Sequence, residues 1–193
     1  VWMDRTASWT KKSKGHIPGW EQTSTWHTLV VDEKHRVSDV RTPKGSGNLV
    51  PSVKMCYENL KNYRNLTDSA VVVNLKCLVH MMGDMHCPTH IYFLEFPDCF
   101  QSPKDANGKR TPARDRMSVY YNDKKMTYHS FWDGVGISQI YPEHSKDYKF
   151  YAEKFGKASA KQKAKICKGG IDDWVHDSAK SCRQVYDNVK AGD

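Results

Sequence analysis

The chain has 193 residues, 38% hydrophobic and 27% charged, which places it in the ordinary globular range and supports one domain, residues 1–193, with its own core. A formal net charge of +8 favours a polyanionic partner through long-range steering, although the same excess also serves solubility alone. The most apolar stretch, Ala70 to Met82, is interrupted by Asn74, Lys76 and His80, which excludes a membrane-spanning helix.

No charged-then-apolar leader opens the chain at Val1, so it reads as a mature form, a trimmed one or a cytosolic protein. The first clear helical period runs from Leu49 to Tyr63, with Val53, Tyr57 and Leu60 on one face and Pro51 allowed in the first turn. Thr67 or Asp68 caps a second helix to about Asp84, apolar nearly all round as a central buried helix should be, and Pro88 ends it. Asp98 to Arg116 is rich in Pro, Asn, Gly, Lys and Arg and predicts a long surface loop. Met117 to Tyr121 and Lys125 to Tyr128 flank Asn122-Asp123 as a hairpin, followed by a helix through Ile140. Tyr148, Tyr151 and Phe155 mark another helix. Ile171 to Val189 forms the last one, with Trp174, Val175, Cys182, Val185 and Val189 as its apolar face. The expected fold is mainly α, a multi-helix single domain with a small β-hairpin.

The six cysteines, Cys56, Cys77, Cys87, Cys99, Cys167 and Cys182, show no Cys-x-x-Cys spacing, which argues against a zinc ribbon or a dithiol redox site and favours disulfides. Their even number and the sequon Asn65-Leu66-Thr67 lean toward an exported protein, secreted or periplasmic.

The chemistry lies in how histidines and carboxylates are spaced. His80 and Asp84 stand four apart on one helix face, His90 follows the break at Pro88, and His129 and Asp133 repeat the four-residue spacing. Asp4 and His27 stand near the start. Imidazole nitrogen with carboxylate oxygen and no thiolate is the ligand mixture of hydrolytic zinc sites that keep a position open for water. A histidine on an apolar helix also commonly serves as a core residue bonded to a neighbour, and Asp84 is such a neighbour. Two His-x-x-x-Asp pairs in apolar surroundings, however, leave carboxylates that demand a cation. Cys87 reads as structural or disulfide-bonded, His86 as a support, and His16, His35, His144 and His176 as ordinary.

At Trp2-Met3-Asp4, Trp26-His27, Leu78-Val79-His80-Met81-Met82-Gly83-Asp84-Met85-His86-Cys87-Pro88-Thr89-His90 and His129-Ser130-Phe131-Trp132-Asp133, the sequence resembles the zinc-dependent single-strand nucleases of the S-one/P-one type. Their helical fold is shared with bacterial zinc phospholipase C. The resemblance implies that Asp4, His27, His80 and Asp84 hold one zinc and that His90, His129 and Asp133 hold a second. Asp84 bridges toward a third, and catalysis is assigned to Asp4 and Asp84. Phospholipases of the superfamily tend to place Glu at the last position, so Asp133 favours the nuclease branch. The implied protein is a monomeric hydrolase acting on single-stranded nucleic acid or nucleotides, with a possible 3′-nucleotidase activity.

Departures from the family pattern also matter. The N-terminal Trp and the His that hold the family's third zinc lie upstream of Val1, so the chain is expected to be N-terminally incomplete and weakly active. Thr28 and Val30 replace an aromatic and an acidic residue that contact a base, and Ala7 replaces a basic residue that contacts phosphate, a role open to Arg5. These departures leave two alternatives: a metal- or nucleic-acid-binding homologue with weakened catalysis, and a phospholipase C-like lipid phosphodiesterase. The substrate-binding residues stay unassigned. Candidates are exposed aromatics and Lys104, Lys109, Arg110, Arg114 and Arg116 of the loop, whereas Lys157, Lys161, Lys163, Lys165 and Lys168 read as a solvated helix face.

Overall fold

Local signals set most of the helices. The structure, a computed structural model, describes residues 3–4, 21–40, 47–96, 104, 106–109, 117–135, 141–144 and 147–188. Helix α1 (Leu49–Lys61) carries Pro51 in its first turn, where no intrahelical donor is needed. Helix α2 (Asp68–Asp84) is capped by Thr67, whose hydroxyl accepts from the Ala70 backbone N–H at 3.2 Å. The two run antiparallel: Cys56 meets Cys77, and Asn59 donates to Asn74 at 2.9 Å.

Strands β1 (Leu29–Val31) and β2 (Ile91–Phe93) pair in parallel, Leu29 opposite Ile91 and Val31 opposite Phe93, and all six residues are buried. This pair was not foreseen. Strands β3 (Ser118–Tyr121) and β4 (Lys124–Thr127) form the expected hairpin. Its turn residues Asn122 and Asp123 both adopt positive φ, 48° and 60°, as a two-residue hairpin loop of this twist requires. Helix α3 (Tyr128–Ser130) continues directly into a π-helical turn over Phe131–Val135. Helices α4 (Tyr148–Phe155), α5 (Ala160–Ile166) and α6 (Ile171–Asn188) complete the described elements, and the mainly α class stands. A capping box joins Ser159 and Gln162 at the start of α5, whose lysines are exposed.

The core gathers Leu49, Val53 and Cys56 of α1, Cys77 and Met81 of α2, the β1–β2 pair, and Val175, Ala179, Cys182 and Tyr186 of α6. Ser178 of α6 donates to the Met85 carbonyl at 2.6 Å, and Tyr186 packs edge-on against Phe93 with ring centroids 5.6 Å apart. Both contacts hold α6 against the segment that leaves α2.

Four expectations need correction. Helix α2 is not buried all round: Val72, Leu75 and Val79 are 49%, 52% and 66% exposed, because a single face meets α1 and the strands. In α1 the buried stripe is Leu49, Val50, Ser52, Val53 and Cys56, and Tyr57 is half exposed. Ser178, Ala179 and Tyr186, which the sequence reading left off the apolar face of α6, are buried there. The five described cysteines are free thiols, so no disulfide forms among the described residues, and Cys99 lies outside them. Most of the Asp98 to Arg116 loop also lies outside the described residues, as do Ile140 and Val189.

Candidate metal centre

Three elements bring the histidines and carboxylates together. The last turns of α2 carry His80 and Asp84 on one face. The parallel register of β1 and β2 sets His27, two residues before β1, beside His90, directly before β2. His90 Nδ1–H donates to the His27 carbonyl at 2.6 Å, which turns Nε2 toward the site, where a neutral ring offers it as a metal donor. Thr127 caps α3 by accepting from the Ser130 N–H at 3.0 Å, and the π-helical turn that follows presents Asp133 to His129.

In the first cluster, His27 Nδ1 lies 3.0 Å from Asp84 Oδ2, 3.1 Å from His80 Nε2 and 3.4 Å from Asp4 Oδ1. His80 Nε2 lies 3.2 Å from Asp84 Oδ2 and 3.4 Å from Asp4 Oδ1. In the second, Asp133 receives His90 Nε2 at 3.2 Å on one oxygen and His129 Nε2 at 3.0 Å on the other. The imidazoles of His90 and His129 lie 4.7 Å apart. Asp84 Oδ2 stands 3.8 Å from His90 Nδ1, so this carboxylate links the clusters. All seven expected residues are therefore in one contiguous site.

The electrostatics describe a site short of positive charge. Burial raises the carboxyl pKa of Asp4, Asp84 and Asp133, but hydrogen bonds from the imidazoles outweigh it and hold all three below the usual carboxylate range, Asp4 and Asp133 well below it. Burial alone would lower His80, yet Asp4 and Asp84 push it up to about 9, and Asp133 and Asp84 likewise raise His90. The bare imidazoles of His80 and His90 thus hold protons that balance the carboxylates.

A divalent cation would replace those protons. Donors on a tetrahedral zinc with bonds of about 2.0–2.1 Å lie about 3.3 Å apart, and the separations above fall around that value. The buried Nδ1 of His129 has no hydrogen-bond partner among the described residues. Its outward-facing Nε2 is the nitrogen turned to Asp133. The donor set therefore fits a borderline, hydrolytic metal.

Residues outside these clusters sort plainly. His86 bonds the Met82 carbonyl at 2.7 Å and is exposed, in keeping with a supporting role. Thr28 and Val30 are 7% and 1% exposed, so neither side chain is available to a base. Arg5, Ala7, Arg110, Arg114 and Arg116 lie outside the described residues. Cys87, expected to be structural or disulfide-bonded, is a free thiol whose Sγ lies 3.8 Å from Asp133 Oδ1, and the donor atoms of Cys87, His90 and Asp133 lie within 4.8 Å of one another.

Among curated proteins no significant match to the chain is found. The family model described as S1/P1 Nuclease, by contrast, matches residues 1–193, the whole length over which the two clusters are assembled. The chain thus belongs to the S1/P1 nuclease family, whose members are metal-dependent hydrolases of phosphoester bonds.

Proposed function

We infer that this protein is a zinc-dependent nuclease that cleaves single-stranded DNA or RNA, possessing 3′-nucleotidase activity as well, and that residues 1–193 act as one catalytic domain. The observation that carries this reading is the convergence of Asp4, His27, His80 and Asp84 beside His90, His129 and Asp133, with Asp84 between them. Asp4, His27, His80 and Asp84 would hold one zinc, and His90, His129 and Asp133 a second. When bound, zinc neutralises charge on a phosphoryl oxygen and lowers the pKa of its water to about 7.

The protein's own groups do the positioning. The His27 carbonyl orients His90 through Nδ1, and Asp84 Oδ2 lies within 3.2 Å of both His27 Nδ1 and His80 Nε2, close enough to share one ion with them. Asp4 and Asp84 stay ionised across the neutral range, so their part in catalysis is to hold positive charge and not to donate a proton. Single-stranded substrate suits the hairpin that leads into His129. Tyr120 is 70% exposed and pairs across the ladder with Lys125, which offers a face for a base beside a cation for the backbone. Secretion and a monomeric state are part of the same proposal, and no helix among the described residues is long and apolar enough to cross a membrane.

One observation favours a second reading. The burial of Thr28 and Val30 removes a base-stacking position, which supports a metal-binding homologue with weakened catalysis. Zinc content by plasma mass spectrometry, measured beside digestion of single- and double-stranded DNA with and without chelator, decides between them. The nuclease reading expects retained zinc and chelator-sensitive release of nucleotides from single strands. Zinc without release supports the second reading; release of phosphocholine from lipid, without digestion of DNA, would overturn both in favour of a phospholipase.

A further inference from the structure

We propose that Cys87 is a metal ligand, supplying a thiolate to the second centre alongside His90, His129 and Asp133. This assignment rests on the reading of that centre as a zinc site and adds a donor that the His and Asp spacing did not include. Three observations carry it.

The first is position. Cys87 sits in the extended turn between α2 and Pro88, φ −94° and ψ 123°, directly before the 3-10 turn that presents His90. Its Sγ points to the same Asp133 oxygen that faces His90 Nε2, at 3.8 Å and 3.2 Å respectively.

The second is geometry. With zinc–sulfur at about 2.3 Å and zinc–nitrogen at about 2.0–2.1 Å, sulfur and nitrogen donors on a tetrahedral ion lie about 3.5 Å apart. The donor atoms of Cys87, His90 and Asp133, all within 4.8 Å of one another, need only a small contraction to meet that arrangement. His129 Nε2 lies 3.0 Å from the other Asp133 oxygen, at the edge of this three-donor group.

The third is support. Thr89 is fully buried, and its hydroxyl lies 3.3 Å from Cys87 Sγ, placed to donate to a sulfur that has lost its proton. No sulfur partner competes, since Cys87 is a free thiol. A thiolate among imidazole and carboxylate donors biases the second centre toward zinc and other borderline or soft ions over magnesium and manganese. The first centre, with nitrogen and oxygen donors only, lacks that bias.

Cobalt(II) titration of the full chain tests the assignment, because cobalt reports both coordination and sulfur ligation by absorption. The expected result is visible d–d bands with a sulfur-to-cobalt charge-transfer band in the near ultraviolet, the latter lost in Cys87→Ser while the former remain. Alkylation of wild-type Cys87 by iodoacetamide, followed by peptide mass spectrometry, needs no variant; zinc should slow it about tenfold or more, and chelator should restore it. Cobalt d–d bands with the same near-ultraviolet spectrum in wild type and Cys87→Ser would overturn the assignment and leave the metal centre standing. A Cys87 found in a disulfide, or alkylated equally fast with zinc, would also overturn it. Absence of any cobalt spectrum would overturn it together with the zinc reading.

Discussion

Removing metal and raising the pH should weaken this protein, and the site geometry sets the size of the effect. His80 is raised from its ordinary 6.5 to about 9 by Asp4 and Asp84, so in the metal-free protein it is protonated at neutral pH. A group whose folded pKa lies above its unfolded one contributes stability that is fully present below the unfolded value. That contribution disappears as pH rises through the folded value. The window is therefore 6.5 to about 9, and His90, raised as well, acts in the same direction. At about 1.4 kcal/mol per tenfold change in proton affinity, His80 alone would contribute about 3 kcal/mol. Asp4 is half exposed and Asp84 is shared with His27, so screening and sharing reduce this to about 1–2 kcal/mol. The carboxylates, held low, contribute stability that is lost only as pH falls below the ordinary carboxylate range, so they are flat across this window.

Urea denaturation in excess chelator at about pH 6 and about pH 9 reads the difference directly. Wild type should lose about 1–2 kcal/mol over that interval, and His80→Gln should lose clearly less. With zinc present the trend should reverse, because zinc binds deprotonated imidazoles and its stabilisation grows with pH. A chelated wild type whose stability is constant or rises between those pH values would refute the reasoning, because it would mean that the carboxylates do not hold His80 protonated.

Other consequences follow from single contacts. Asp84→Asn removes the carboxylate shared by His27, His80 and His90, and zinc affinity should fall by more than the roughly 10–100-fold typical of outer-sphere partners, as measured by competition with a chromophoric chelator. Ser178→Ala leaves the buried Met85 carbonyl without its donor and should cost about 1–3 kcal/mol in urea denaturation, with the zinc stoichiometry unchanged. Thr28→Val removes a buried hydroxyl that has no partner among the described residues, so the variant should be neutral or more stable by up to about 1 kcal/mol on the same assay. Tyr120→Ala should weaken binding of single-stranded oligonucleotide by about 1–3 kcal/mol while leaving zinc content intact, as followed by fluorescence anisotropy.

Local interactions were legible in the sequence, and long-range ones were not. Thr67 as a cap, Pro88 as a break and Asn122-Asp123 as a hairpin turn each act within a few residues, so α2, its end and the β3–β4 pair follow from spacing alone. The four-residue intervals His80 to Asp84 and His129 to Asp133 are equally local, which is why each pair meets as expected. Burial is a different matter. The continuous apolar character of α2 does not say which face finds a neighbour, and Val72, Leu75 and Val79 remain exposed while Cys77 and Met81 do not.

The parallel β1–β2 pair shows why the site could be guessed before its scaffold. Leu29-Val30-Val31 and Ile91-Tyr92-Phe93 are short and buried on both faces, so neither shows the alternation that marks a strand, and no turn joins them. Yet this register places the His27 carbonyl over His90 Nδ1 and converts two unrelated helical pairs into neighbours joined by Asp84. The same three-residue ladder buries Val30 and, with the segment leading into it, Thr28, so the backbone that aligns the histidines also withdraws those two side chains from any substrate. On the proposed nuclease reading, the strand that aligns the histidines therefore offers no side chain to a base. A base must be sought elsewhere, and the hairpin bearing Tyr120 runs directly into the cap of the helix that carries His129.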